Sequence, residues 1–213
     1  MEIKYLMEDK LKIQSNQEYF ERKLNSDNIE KIIRYMTQCI DRTQFDGAII
    51  NLATETHRGK PLSNSILLHE LKEAEEFEAM GYDFSSKKLE TMSYNERLEV
   101  RNKRNKKYRE IREPHLKALV EQYDYLAEVA RNRGYNVSPG TILKLSPFSP
   151  KVEVEEASAF TEELKYKPLE FNEAMRFVLS LLDEEKDYKD IFSELHHTKA
   201  IKSGIYLYEI IRD

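Results

Sequence analysis

The sequence predicts a mainly α domain, formally α+β: a compact body of four to six helices with a small minor sheet. Three observations carry this. Apolar residues recur at helical spacing along most of the chain. Charged residues make up 34% and fill the faces between them, bringing mean hydropathy to −0.71. Only a few short stretches alternate, or run apolar, as strands do. The 213 residues, 40% of them hydrophobic, are enough to bury one core. A single domain over residues 1–213 is expected. An internal boundary at 135–150 would separate an N-terminal helical core from a C-terminal helical subdomain.

In chain order, Ile3, Tyr5 and Met7 alternate like a strand, whereas Tyr19, Phe20 and Leu24 suit a short helix. Ser26 is placed to cap a helix to about Asp41, with Ile29, Ile32, Ile33, Met36 and Ile40 as its stripe. Gly47 to Leu52 reads as a short buried strand, followed by a polar loop through Pro61. Ser63 caps the next helix, which ends near Met80 with Gly81 beyond it. After a loop over 82–92, Ser93 and Glu96 have capping-box spacing.

The charged helix that follows stops before Pro114, which is well placed to open another helix running to about Arg133, with Gly134 as its stop. Three prolines and a glycine mark 135–150. Val152 and Val154 read as a strand, Phe171 to Leu182 as an amphipathic helix, and Tyr188 to Leu195 as a further helix. Ile205 to Ile211 suits strand or helix. The small sheet would therefore involve Ala48, Val152 and Ile205.

Composition narrows the functional classes. One cysteine, Cys39, excludes an internal disulfide and a Cys-rich zinc site, and points to a reducing, cytoplasmic location. No secretory signal is read in Met1 to Ser15, and no apolar run reaches the ~20 residues of a membrane span. A net charge of −5 gives no global attraction to nucleic acid or anionic membrane. The glycines form no phosphate-binding pattern, so no nucleotide cofactor is expected. No G-x-S-x-G occurs, and Cys39 has no histidine near it in sequence. The absence of Trp beside 13 Tyr and frequent Lys, Glu and Asn has the look of AT-rich bacterial or phage coding.

The chemically suggestive cluster lies on the helix from Ser63. At 100° per residue, Ile66, Phe77, Ala74, Leu67 and Leu71 share one arc. Glu70 falls inside that arc, while His69 and Glu73 flank it. A carboxylate on an apolar face is costly unless it is paired, metal-bound or neutral. His69 and Glu73 are four residues apart, so both reach one ion from one face. On the helix from Pro114, His115 and Gln122 interrupt an arc of Leu116, Leu119, Tyr123, Leu126, Val129 and Ala130. Antiparallel packing of the two helices would bring His115 towards His69 and Glu73. Two readings stay open: a metal or acid–base site, or a structural one in which Glu70 bonds a neighbouring Tyr or Arg and His115 is a satisfied core histidine.

The segment from Ala48 to Glu73, strand, loop, then His69-Glu70-Leu71-Lys72-Glu73, resembles the zincin class of metallopeptidases, whose helix carries H-E-x-x-H. The likeness covers about one-eighth of the chain. It implies zinc or another divalent metal on His69, Glu73 and His115, with Glu70 as general base. Glu73 stands where the family has its second histidine, and no H-E-x-x-H occurs in the chain. The pattern H-E-L-x-E-A also resembles small modules of phages and polymorphic toxins.

Three further candidates complete the reading. The basic stretch with Arg97, Arg101, Arg104, Lys107 and Arg109, interleaved with Tyr108, suits nucleic acid or a negatively charged protein partner. His196 and His197 close a helix end, where cationic side chains are favourable. His57 to Lys60 forms a turn or an anion loop before the key helix. The leading expectation is a phage- or mobile-element-type protein with a zincin-like, degenerate metal-dependent hydrolase site. The alternative is a non-enzymatic interaction protein (immunity, anti-defence or regulatory factor) or a nucleic-acid-binding protein acting through residues 97–112.

Overall fold

The computed structural model of the chain describes residues 16–37, 60–82, 91–146 and 151–184. These are mainly helical, with eight α-helices and no strand among the described residues. The helices are α1 (16–23), α2 (Ser26–Thr37), α3 (Pro61–Ala79), α4 (Tyr94–Glu110), α5 (Glu113–Asn132), α6 (Pro139–Leu145), α7 (Lys151–Phe160) and α8 (Phe171–Glu184). Two 3-10 turns, Glu162–Leu164 and Pro168–Glu170, lie between α7 and α8. No described helix is long and apolar enough to cross a membrane.

The ends of these helices follow from local chemistry. Asn25, not Ser26, caps α2: its side-chain oxygen accepts from Asn28 N at 3.0 Å, and Ser26 is already helical. Pro61 opens α3 two residues before Ser63, because a proline at the first helical position loses no intrahelical bond. The capping box of α4 forms as its spacing predicts, with Ser93 N donating to Glu96 Oε2 at 2.7 Å. Gly81 (φ 88°) and Gly134 (φ 84°) end α3 and α5 in the left-handed conformation. After Gly81, Tyr82 N donates back to Phe77 O at 3.1 Å; after Gly134, Tyr135 N donates to Ala130 O at 2.9 Å. These are the 6→1 bonds that satisfy otherwise orphaned terminal carbonyls. The rings of Tyr82 and Phe77 meet edge-on at 5.5 Å, the apolar contact that accompanies such a cap.

The chain divides into two compact units, Lys23–Glu121 and Met1–Arg22 with Gln122–Asp213. In the first, α2 packs along α3 through Ile29, Ile32, Tyr35 and Met36, all buried. The wheel of α3 predicts one apolar arc, yet the helix is buried on every side from Pro61 to Leu71, including Ser63, Asn64 and Ser65. Lys31 to Glu78 at 2.9 Å and Lys117 to Glu76 at 2.9 Å tie α3 to α2 and α5 at its more exposed end.

In the second unit α6 packs against α7, α8 and the first 3-10 turn. Gly140 is what permits this: a Cβ there would lie 2.3 Å from the carbonyl carbon of Leu164. The Glu170 carboxylate accepts from Ser138 N (2.7 Å), Ser138 Oγ (2.6 Å) and Thr141 Oγ1 (3.1 Å), fixing the start of α6 from outside. The segment 135–150 therefore contains a helix.

The strand expected at Val152–Val154 is instead the first turn of α7. Val152 is 59% exposed, whereas Val154 and Ala157, three apart, are buried, which is helical and not alternating burial. The short helices α6 and α7 are also why the number of helices exceeds the four to six expected. The other sheet candidates, Ile3–Met7, Gly47–Leu52 and Ile205–Ile211, lie outside the described residues, as do Cys39, His57–Gly59, His196 and His197.

Candidate metal centre

Three buried side chains from two helices of the Lys23–Glu121 unit converge. α3 supplies His69 and Glu73, one turn apart on one face, and the first turn of α5 supplies His115. Their exposures are 9%, 5% and 8%. His69 Nε2 lies 3.2 Å from His115 Nδ1, and His115 Nδ1 lies 3.4 Å from Glu73 Oε1. The two imidazole rings meet edge to face at 4.9 Å. One ligand atom from each of the three residues falls within 4.8 Å of the others. His69, Glu73 and His115 thus form a group within metal-binding distance.

Ligands about 2.0–2.2 Å from a tetrahedral zinc are about 3.3–3.6 Å from one another. The 3.2 and 3.4 Å separations lie close to that spacing, while the ligand atoms of the group as a whole fall within 4.8 Å of one another. Proton counting points the same way. Nε2, Nδ1 and Oε1 all present lone pairs to one region when the imidazoles are neutral and the carboxylate ionised. A single proton on His115 Nδ1 can bridge towards His69 or Glu73, but it cannot satisfy both with good geometry. Glu73 Oε1 indeed makes no hydrogen bond of normal geometry, and His115 approaches it only at ion-pair distance. The three residues together could hold one divalent cation.

Electrostatics keep Glu73 charged. Burial pushes its carboxyl up, but in the metal-free chain the approach of His115, the positive charge of His69 and His115 when protonated, and the Tyr35 hydroxyl together bring it below the ordinary value. Tyr35 Oη donates to Glu73 Oε2 at 2.8 Å. Tyr35 is absent from the apolar stripe expected for α2, which runs through Ile33. Its position three residues after Ile32 was the available signal, and Tyr35 is 4% exposed while Ile33 is only half-buried.

Glu70 is buried at 5%, one residue beyond His69 and so about 100° around α3. It is not one of the three residues that converge. Of the basic candidates, Arg97 on α4 is exposed, and Lys103 on the same helix pairs with Glu99 at 2.8 Å. The side chains of Arg101, Arg104, Lys107, Tyr108 and Arg109 lie outside the described residues. Comparison with protein-family models, curated proteins and solved structures gave no match.

Proposed function

We propose that this chain is a zinc-dependent protein of hydrolase type, with His69 Nε2, Glu73 Oε1 and His115 Nδ1 as its protein ligands. The convergence of these three buried donors, all within 4.8 Å of one another, carries the proposal. Two imidazoles and a carboxylate are a donor set of known catalytic zinc sites, which leave a fourth position for water or substrate. A divalent ion held there supplies Lewis acidity and brings the pKa of a bound water to ~7. Within that reading Glu70, next to the first ligand on the same helix, is the base that takes the proton. His69 and His115 hold the ion, and Glu73 partly neutralises it.

The test is elemental analysis of the purified chain after dialysis, together with His69→Ala, His115→Ala and Glu70→Gln. About one zinc per chain is expected in the wild type and in Glu70→Gln, and none in either histidine variant. Any zinc-dependent hydrolysis of casein or simple esters should vanish in Glu70→Gln although its metal stays. No stoichiometric zinc in the wild type overturns the proposal.

A second, non-enzymatic reading rests on α4, whose described side chains are largely exposed and highly charged. Under that reading the helix binds nucleic acid or an acidic partner, with affinity falling steeply as salt is added. Arg97→Glu would then abolish binding and leave zinc content unchanged.

A further inference from the structure

Tyr35 reaches the metal centre from a third helix, and the ligand set alone gives it no role. It is 4% exposed, its ring stacks on Phe77 (centroids 6.2 Å, planes 28° apart), and its hydroxyl donates to Glu73 Oε2 at 2.8 Å. Resting on the metal reading above, we propose that Tyr35 is a positioning residue. It holds Glu73 to ligation through one oxygen, and so sets the preference of the centre for four-coordinate zinc over larger, oxygen-seeking ions.

A carboxylate that chelates an ion turns a lone pair of each oxygen towards it, and here the Tyr35 hydrogen bond orients Oε2 towards the phenol and competes for it. Oε1 is left as the oxygen that faces His115 Nδ1 at 3.4 Å. The protein then offers three single-atom donors, two nitrogens and one oxygen, which with one exogenous ligand completes a tetrahedron. Magnesium, manganese and calcium favour six or more largely oxygen ligands. The second carboxylate oxygen is the donor best placed to raise the coordination number, and the Tyr35 hydrogen bond biases it away from the ion. Core packing alone would need only the ring, and phenylalanine would serve as well. The hydroxyl is therefore the group to test.

Tyr35→Phe keeps the ring and its stack on Phe77 while removing the donor. Metal binding is measured on the full chain by equilibrium dialysis against zinc, cobalt or manganese alone. Tyr35→Phe should bind zinc ~10–100-fold more weakly, the range seen when a ligand loses its supporting hydrogen bond. Its zinc-to-manganese preference should narrow. Its cobalt form should pass from the intense visible bands of four-coordination to the weaker ones of five-coordination. In a Glu73→Ala background the same change should have no further effect.

Unchanged zinc affinity and cobalt spectrum in Tyr35→Phe overturn the role of Tyr35 and leave the metal reading standing. A wild-type chain that takes up neither zinc nor cobalt overturns both. Should Tyr35→Phe fail to fold by circular dichroism, X-ray absorption at the zinc edge of the wild type reads the carboxylate mode directly. Four nitrogen or oxygen donors near ~2.0 Å are expected, and an additional, longer oxygen contact overturns the proposal.

Discussion

At the scale of single residues, two glutamates show how one side-chain type is put to different ends. For both, burial raises the carboxyl and is outweighed. At Glu73 two imidazoles and a phenol do this in a nearly dry site, and at Glu170 the donors are the Ser138 hydroxyl and amide, the Thr141 hydroxyl and, more distantly, the Lys167 charge. Glu170 keeps 19% of its side chain in solvent, and its partners are ordinary hydroxyl and amide donors, so it is a structural tie. Because its folded pKa lies below the unfolded one, its stabilisation is fully present above the usual glutamate range and is lost as pH falls through the folded pKa. Glu170→Gln should therefore cost about 1–2 kcal/mol at pH 7, and the deficit should shrink towards zero below about pH 4. Thermal melts of the two proteins across pH 3–7 measure this directly; a deficit that does not change with pH would refute the assignment. Glu170 was not legible in the sequence, since nothing local announces that it reaches Ser138 and Thr141 from about thirty residues away.

At the scale of elements, legibility followed the range of the interactions involved. The helix ends at Gly81 and Gly134 and the Ser93–Glu96 capping box were readable because each is decided within six residues. His69 and Glu73 could be placed on one face of α3 for the same reason. α3 starts at Pro61 and not after a capping Ser63, because the fixed φ of proline opens the helix without a side-chain cap. Val152–Val154 is helical although two valines about a glutamate fit a strand equally well, and only tertiary burial decides between the two. Gly140 illustrates the long-range part. On propensity alone, alanine is the better residue in a helix. Here its Cβ would enter the backbone of Leu164 at 2.3 Å, where no flexible side chain can give way. Gly140→Ala should thus destabilise by roughly 1–3 kcal/mol or more, in place of the small gain propensity predicts. Urea denaturation followed by circular dichroism distinguishes the two, and a stabilised variant would show that α6 is free to move off the turn.

At the scale of the whole molecule, the fold is a set of helices whose described residues contain no sheet, and every member of the candidate centre comes from Lys23–Glu121. The pairing of α3 with α5 through His115 was inferable only as a conditional, because two buried histidines on separate helices state a need and not a meeting place. The coordinates bring Nε2 and Nδ1 to 3.2 Å, and Tyr35 arrives from α2, which the pattern of apolar residues did not foretell. The central claim is that these donors enclose a cation. Anomalous diffraction at the zinc edge from zinc-loaded crystals tests it most directly. A single strong peak should lie about 2 Å from His69 Nε2, Glu73 Oε1 and His115 Nδ1 alike. An empty map there, or a peak on other side chains, would contradict it.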